Sequence, residues 1–69
     1  NDKNIDFEQL RNLLKRLKFG ERIKGSHHIF YRDCVEEIIN LQPAGSSAKE
    51  YQVMQIRDIF LKYRLGDIL

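Results

Sequence analysis

The spacing of apolar residues changes twice along this 69-residue chain, and these changes restrict the fold more than any other feature. Residues spaced to line one face of a helix come first: Phe7, Leu10, Leu13, Leu14 and Leu17. Extended runs follow, and helical spacing then returns near the C terminus: Val53, Ile56, Ile59, Phe60 and Tyr63. The pattern predicts one helix towards each end of the chain and strands between them.

Polar residues indicate where the two helices begin and end. Asp6 and Gln9 have the spacing of a capping box, in which side chains bind the free N–H groups of the first turn. Ser47 and Glu50 repeat this spacing before the second helix. Gly66 is expected to end that helix, because glycine readily adopts the left-handed conformation found after helices.

Three extended stretches lie between the helices, at residues 19–23, 26–31 and 37–42. Lys24 and Gly25 supply a turn between the first two, and Pro43 ends the third and begins a loop. The chain is therefore predicted to be a single domain over residues 1–69 with an α+β fold of order α-β-β-β-α. Both helices would cover one face of a three-stranded antiparallel sheet, and the other face would be open to a ligand.

Charge is unevenly distributed, although the net charge is only +2. Seven of the 12 Lys and Arg residues lie within residues 11–32, where Glu21 is the only acidic residue. On the first helix, cationic residues at i, i+4 and i+7 share one strip: Arg11, Lys15 and Lys18. Such a cluster is typical of a surface that binds a polyanion, and a solvated helix face is the alternative.

Cysteine content and hydropathy give expectations about location. Cys34 is the only cysteine, so neither an internal disulfide nor a thiolate zinc cluster is possible, and a free thiol suits a reducing compartment. No apolar run approaches the roughly 20 residues that cross a bilayer, and the polar first residues do not have the pattern of a signal peptide. We expect a cytoplasmic protein without a membrane partner.

Two adjacent histidines, His27 and His28, lie in the second predicted strand. Their side chains must point to opposite faces of the sheet, but alternation alone does not decide which of them faces the helices. An imidazole can act as a general base near neutral pH and take the proton of a ribose 2′-hydroxyl. The oxygen would then attack phosphorus and form a 2′,3′-cyclic phosphate, with no metal or cofactor. Arg22 and Lys24 could bind the phosphate, and Gly25 would let it approach the backbone.

The segment from Lys24 to Phe30, which reads KGSHHIF, resembles the HicA toxin family. The resemblance covers nearly the whole chain, from the first helix through the strand that ends at Pro43 to the final Leu65-Gly66. It implies a double-stranded-RNA-binding-like fold and an endoribonuclease that cleaves mRNA without the ribosome. It also implies neutralisation by a HicB-like antitoxin, with oligomers formed only through that complex.

The resemblance also assigns residues. The active histidine of the family usually follows Gly-Ser directly, which points to His27, with His28 as the runner-up. The predicted RNA-binding residues are Arg11, Lys15, Lys18, Arg22, Lys24, Gly25 and Ser26. The chain departs from the family after Pro43, where the family often has a nearby histidine and this sequence has none.

Two other functions stay open at this point. One is a non-catalytic RNA-binding module of the same fold, and the other is a protein-interaction module that would use Tyr31, Cys34 or Tyr51. Tyr31 could be an edge of the core or, as the alternative, a platform for stacking a base. A metal site is not expected, because the two histidines diverge and no carboxylate lies at ligand spacing beside them. Nucleophilic catalysis by Cys34 or Ser26 is not expected either.

Overall fold

The computed structural model describes residues 5–68 of the chain. In chain order the elements are α1 (Phe7–Arg16), β1 (Gly20–Lys24), β2 (His27–Arg32), β3 (Val35–Leu41), β4 (Pro43–Ala44), β5 (Ser47–Ala48), α2 (Glu50–Tyr63) and a 3₁₀ helix (Leu65–Ile68). Strands β1, β2 and β3 form one antiparallel sheet in that order, and β4 pairs only with β5. The predicted α+β fold is confirmed: the three strands of the sheet lie between the two helices in the sequence.

The start of α1 follows the predicted capping pattern. The Asp6 carboxylate accepts a hydrogen bond from the Gln9 N–H at 3.0 Å. The apolar stripe of this helix is buried at Phe7, Leu10 and Leu14. The chain then reverses through Lys18, whose φ of 72° is the left-handed conformation common after a helix.

The strand register defines the two faces of the sheet. Phe30 is fully buried and pairs with Glu21 on β1 and Ile39 on β3, so these three side chains share the face that the helices cover. Helix α1 reaches this face through Phe7, and α2 reaches it through the bond from the Tyr63 hydroxyl to the Glu37 carboxylate, 2.6 Å long. Both helices therefore lie on one side of the sheet, as predicted.

The hydrophobic core lies between this face and the two helices. Its largest fully buried side chains come from α1, the chain after it and two strands: Leu14, Leu17, Phe30, Ile39 and Leu41. Burying a side chain of this size contributes about 1.5–3 kcal/mol to stability. The core therefore fixes β2 and β3 against both helices, and this positions the residues on the opposite face.

The segment after Pro43 differs from the predicted loop. Pro43 pairs with Ala48 in a short hairpin that turns at Gly45, where a φ of 63° suits glycine. The hairpin is attached to the start of α1, because the Ala48 N–H donates to the Ile5 carbonyl at 2.9 Å. These backbone bonds are made between residues far apart in sequence, and local pattern does not reveal them.

The predicted capping box at Ser47 is wrong for the same reason. Ser47 lies in β5 and forms a bridge with Asp6, so it is not placed to cap α2. Lys49 occupies the N-cap position in an extended conformation, and its side chain makes no capping bond. Glu50, the other predicted partner, is the first residue of the helix.

Two predicted boundaries also need correction. Strand β3 begins at Val35 instead of residue 37, and it contains an irregularity in its pairing with β2 opposite the stretch from Phe30 to Arg32. Helix α2 ends at Tyr63, and the next residue, Arg64, takes the left-handed conformation with a φ of 57°. Gly66, the predicted stop, lies inside the following 3₁₀ helix.

Candidate active site on the open face of the sheet

The two histidines point to opposite faces of the sheet and have different surroundings. The His28 ring packs edge-on against Phe7 with 4.9 Å between ring centroids, and its Nδ1 lies 2.8 Å from a Glu21 carboxylate oxygen. Its side chain is only 13% exposed. His27 is exposed on the other face. The structure thus decides what alternation could not, because His28 is part of the packing and His27 is accessible.

The face that carries His27 has no helix over it, and we call it the open face. It is defined by strand pairs that place residues directly opposite one another: Lys24 with His27, Arg22 with Ile29, and Ile29 with Asn40. Lys24 and Arg22 are both exposed. Two of the predicted phosphate-binding cations therefore lie on the same face as His27, and Lys24 is its direct neighbour across the strands.

A hydrogen bond fixes one ring nitrogen of His27. The Asn40 carboxamide oxygen, which can only accept, lies 3.2 Å from His27 Nδ1. Nδ1 therefore carries the hydrogen in the neutral ring, and Nε2 is left with the lone pair. This is the tautomer and orientation that a base acting through Nε2 requires.

The turn before His27 is open to a ligand. Gly25 adopts a φ of 60°, and a Cβ atom added there would meet no atom within 4 Å. Ser26 is exposed, and its hydroxyl accepts a hydrogen bond from the Gln42 side chain at 3.1 Å. Gly25 and Ser26 thus lie between Lys24 and His27, and the space beside Gly25 is open. Phosphate binding at this turn stays a prediction from the sequence.

The strip of cations on α1 is separate from this face. Arg11 Nε lies 2.7 Å and Lys15 Nζ 3.0 Å from the carboxylate of Glu21, whose side chain is 5% exposed and faces α1. Arg11 also binds Glu8, at 2.8 Å. Lys18 is exposed at the end of α1. The structure does not bring Arg11 and Lys15 together with His27, because both bind Glu21 on the helix-covered side of the sheet. Lys18 lies beyond the last residue of α1, so it does not continue their strip on the helix.

Two carboxylates have strongly lowered pKa values. Hydrogen bonds from Arg11 above all, and then from His28 and Lys15, lower the pKa of Glu21 from 4.5 to about 2 although burial opposes this. The Tyr63 hydroxyl, with Lys62, lowers the pKa of Glu37 to about 2 in the same way. Both groups fasten a helix to the sheet, Glu21 to α1 and Glu37 to α2.

These pKa values predict loss of stability in acid. Each carboxyl group has a lower pKa in the folded state than in the unfolded state. Its full contribution to stability is therefore present when the pH is above the unfolded-state pKa, and it is lost as the pH falls through the folded-state pKa. The free energy of unfolding should therefore fall between pH 4.5 and about 2. Urea unfolding across this range would measure the slope. The double variant Glu21→Gln, Glu37→Gln should have a shallower slope, and an unchanged slope would contradict the prediction.

Other candidate residues lie away from His27. Cys34 is exposed in the turn after β2, and five residue steps of strand separate His27 from the far end of β2, about 16 Å. Tyr31 is 43% exposed and packs over Gly20, where an added Cβ would lie 2.5 Å from the Tyr31 ring. A Cys–His pair with His27 is therefore excluded. Tyr31 pairs with Gly20 and lies on the same face of β2 as His27, four residues further along the strand.

A cleft beside His27 contains residues that sequence reasoning did not assign to the site. It has a volume of about 240 Å³ and is lined by His27, Asn40, Gln42, Tyr51 and Gln52. Asn40 could have been noticed as a polar residue between the core positions Ile39 and Leu41, but its contact with His27 depends on a register that the sequence does not specify. A larger groove on α1, about 540 Å³, shares no lining residue with this cleft.

Among the side chains that the structure describes there is no group of three or more His, Cys, Asp or Glu that could hold a metal ion. None of the helices in the described part of the chain is long and apolar enough to cross a membrane. Comparison with known proteins finds no matching family model, no matching curated protein and no matching solved structure.

Proposed function

We propose that this protein is a metal-independent endoribonuclease in which His27 is the general base. The observation that carries the proposal is the exposed imidazole of His27, held at Nδ1 by Asn40 and lying directly opposite Lys24. A base with a fixed tautomer beside a cation is the minimum that cleavage of RNA by its own 2′-hydroxyl needs. His28 is not the base in this proposal, because its ring is occupied by Glu21 and Phe7.

The reaction follows from this arrangement. Nε2 of His27 takes the proton from a ribose 2′-hydroxyl, and the 2′-oxygen attacks the adjacent phosphorus. The bond from phosphorus to the 5′-oxygen of the next nucleotide breaks, and that oxygen takes up a proton from solvent. The products are a 2′,3′-cyclic phosphate and a free 5′-hydroxyl. Lys24 stabilises the negative charge that grows on the phosphoryl oxygens.

The proposed RNA path crosses the open face over Arg22 and Lys24 and passes the turn at Gly25 and Ser26. Both cations are exposed there, and the turn leaves the backbone accessible. Arg11 and Lys15 contribute less in this proposal, because each already binds the carboxylate of Glu21. Contacts from Lys18 to RNA stay a prediction from the sequence.

The biological setting of the proposal comes from the resemblance to HicA toxins. We propose that mRNA is the substrate, that cleavage needs no ribosome, and that the protein acts in the cytoplasm. A HicB-like antitoxin would be the neutralising partner, and larger assemblies would form through it. An antitoxin that covers the open face would exclude RNA from His27, so toxicity and its neutralisation would depend on the same surface.

A cleavage assay in the presence of EDTA tests the function. Purified protein is incubated with a defined mRNA, and the product ends are mapped. We expect cleavage that chelation does not affect, with 2′,3′-cyclic phosphate and 5′-hydroxyl ends. Cleavage that needs a divalent cation, or binding of RNA without cleavage, would contradict the proposal, and the second result would support a non-catalytic RNA-binding module.

Asn40 is predicted to be a positioning residue. Asn40→Ala removes the hydrogen bond that orients His27. We expect kcat to fall about tenfold, because one hydrogen bond is worth about 1 kcal/mol. Asn40→Asp should keep the bond and move the pH–rate profile to higher pH, because a carboxylate stabilises the protonated imidazole. Gln55→Ala, an exposed polar change on α2, is the control. If neither Asn40 variant alters kcat or the pH profile, the positioning role is wrong.

A further inference from the structure

The cleft beside His27 is held together by contacts between β3 and the first turn of α2. Gln52 is 4% exposed, and its carboxamide accepts from the Gln42 N–H at 3.3 Å. Its amino group faces a strand carbonyl, that of Asn40 at 3.4 Å or, with the amide turned over, that of Gln42 at 3.2 Å. A buried amide in such a position must be satisfied by these partners. The bonds fix the start of α2 relative to the end of β3.

The other wall of the cleft is also fixed. The Gln42 side chain donates to the Ser26 hydroxyl at 3.1 Å, which joins the end of β3 to the turn before His27. Asn40 binds His27 from the same strand. The walls of the cleft are therefore connected to one another by hydrogen bonds from its own lining residues.

Tyr51 is the residue in this cleft whose exposure the packing does not explain. It precedes Gln52 on the first turn of α2, and it is 65% exposed although its ring is large and apolar. The Tyr51 ring stands at the rim of the cleft, with its hydroxyl 3.5 Å from the Gln52 side-chain amide. An exposed aromatic ring thus lies at the rim of the cleft that His27 lines.

From this arrangement we infer that the cleft is a subsite for a nucleobase next to the scissile phosphate, with Tyr51 as its stacking surface. This inference rests on the proposed function. Proteins that bind single-stranded RNA stack unpaired bases on exposed aromatic rings and bind base edges with polar side chains. Asn40 and Gln42 supply amide groups in the same cleft. The subsite would bind one base of the strand and so raise the affinity for single-stranded RNA that crosses the open face.

Kinetics of Tyr51 variants test the subsite. Tyr51→Ala should raise KM for a short single-stranded RNA about tenfold and change kcat little, because stacking of one base contributes affinity of that size. Tyr51→Phe should behave as the wild type. Met54→Ala is the matched control, because Met54 is exposed on the same helix and does not line the cleft. Circular dichroism would show that each variant is folded.

A binding measurement separates this subsite from a general effect on activity. An RNA with 2-aminopurine beside the cleavage position, bound to protein carrying His27→Gln, should lose fluorescence on stacking, and the added change Tyr51→Ala should restore it. If the wild type cleaves RNA but Tyr51→Ala changes neither KM nor quenching, the subsite is wrong and the proposed function stands. If the wild type cleaves no RNA, the proposed function fails and the subsite fails with it.

Discussion

Replacing His27 with alanine should reduce RNA cleavage by about 10²- to 10⁴-fold, the contribution typical of a general base. The variant should fold like the wild type, because His27 is exposed and its hydrogen-bond partner Asn40 is exposed too. Single-turnover cleavage of a defined RNA would measure the loss. Induction of the variant in bacteria would measure the matching loss of growth arrest.

His28→Ala is the informative comparison for this prediction. The His28 ring binds Glu21 and packs on Phe7, so replacing it with a methyl group should lower the free energy of unfolding by about 1–3 kcal/mol. Below its melting temperature the variant should still cleave RNA. The reverse pattern, in which His28→Ala stops cleavage in a folded protein and His27→Ala does not, would make His28 the base.

The parts of the fold that sequence predicted well depend on local interactions. The cap at Asp6 and the stripe of α1 involve residues three or four apart, which helix geometry brings together. The parts that it missed involve distant backbone groups. Ser47 has the side chain of a helix cap, but its strand is paired with Ala44 and bridged to Asp6. Long-range backbone pairing overrides a local preference of about 1 kcal/mol.

The candidate site shows the same division. Gly25, His27 and Lys24 are close in sequence, so the turn and its cation could be predicted directly. Asn40 and Tyr51 come from other elements. The approach of Asn40 to His27 depends on the β2–β3 register, and that of Tyr51 depends on the hydrogen bond between Gln52 and the Gln42 N–H. Alternation fixes that the two histidines diverge, but only the helix packing on one face decides which of them is exposed.

The basic residues of the first helix were predicted to bind RNA, but in the structure two of them form ion pairs within the protein. Arg11, Lys15 and Lys18 have the spacing of one helix face, and sequence reasoning assigned them to RNA. Strand β1 places Glu21 opposite Phe30, and this directs the carboxylate towards α1. A single acidic residue within a basic segment therefore binds two of its cations together with His28.

Glu21→Ala is the second change with a large expected effect, and we expect it to lower the free energy of unfolding by about 3 kcal/mol. Glu21 is nearly covered, and its removal leaves Arg11, Lys15 and His28 facing one another without the carboxylate. Loss of one partner from a buried ion pair is costly because the remaining charge is poorly hydrated. Urea unfolding at neutral pH would measure the change.

Glu8→Ala provides the matched control, because Glu8 binds the same Arg11 but its side chain is 66% exposed. An exposed pair of this kind contributes less than about 1 kcal/mol. If Glu8→Ala and Glu21→Ala lower the free energy of unfolding equally, burial does not make the Glu21 ion pairs stronger than the exposed pair at Glu8. Cleavage is the other readout: folded Glu21→Ala protein should retain it, because Glu21 lies on the face of the sheet opposite His27. Loss of cleavage in the folded variant would instead show that the cluster controls the position of His27 through its neighbour His28.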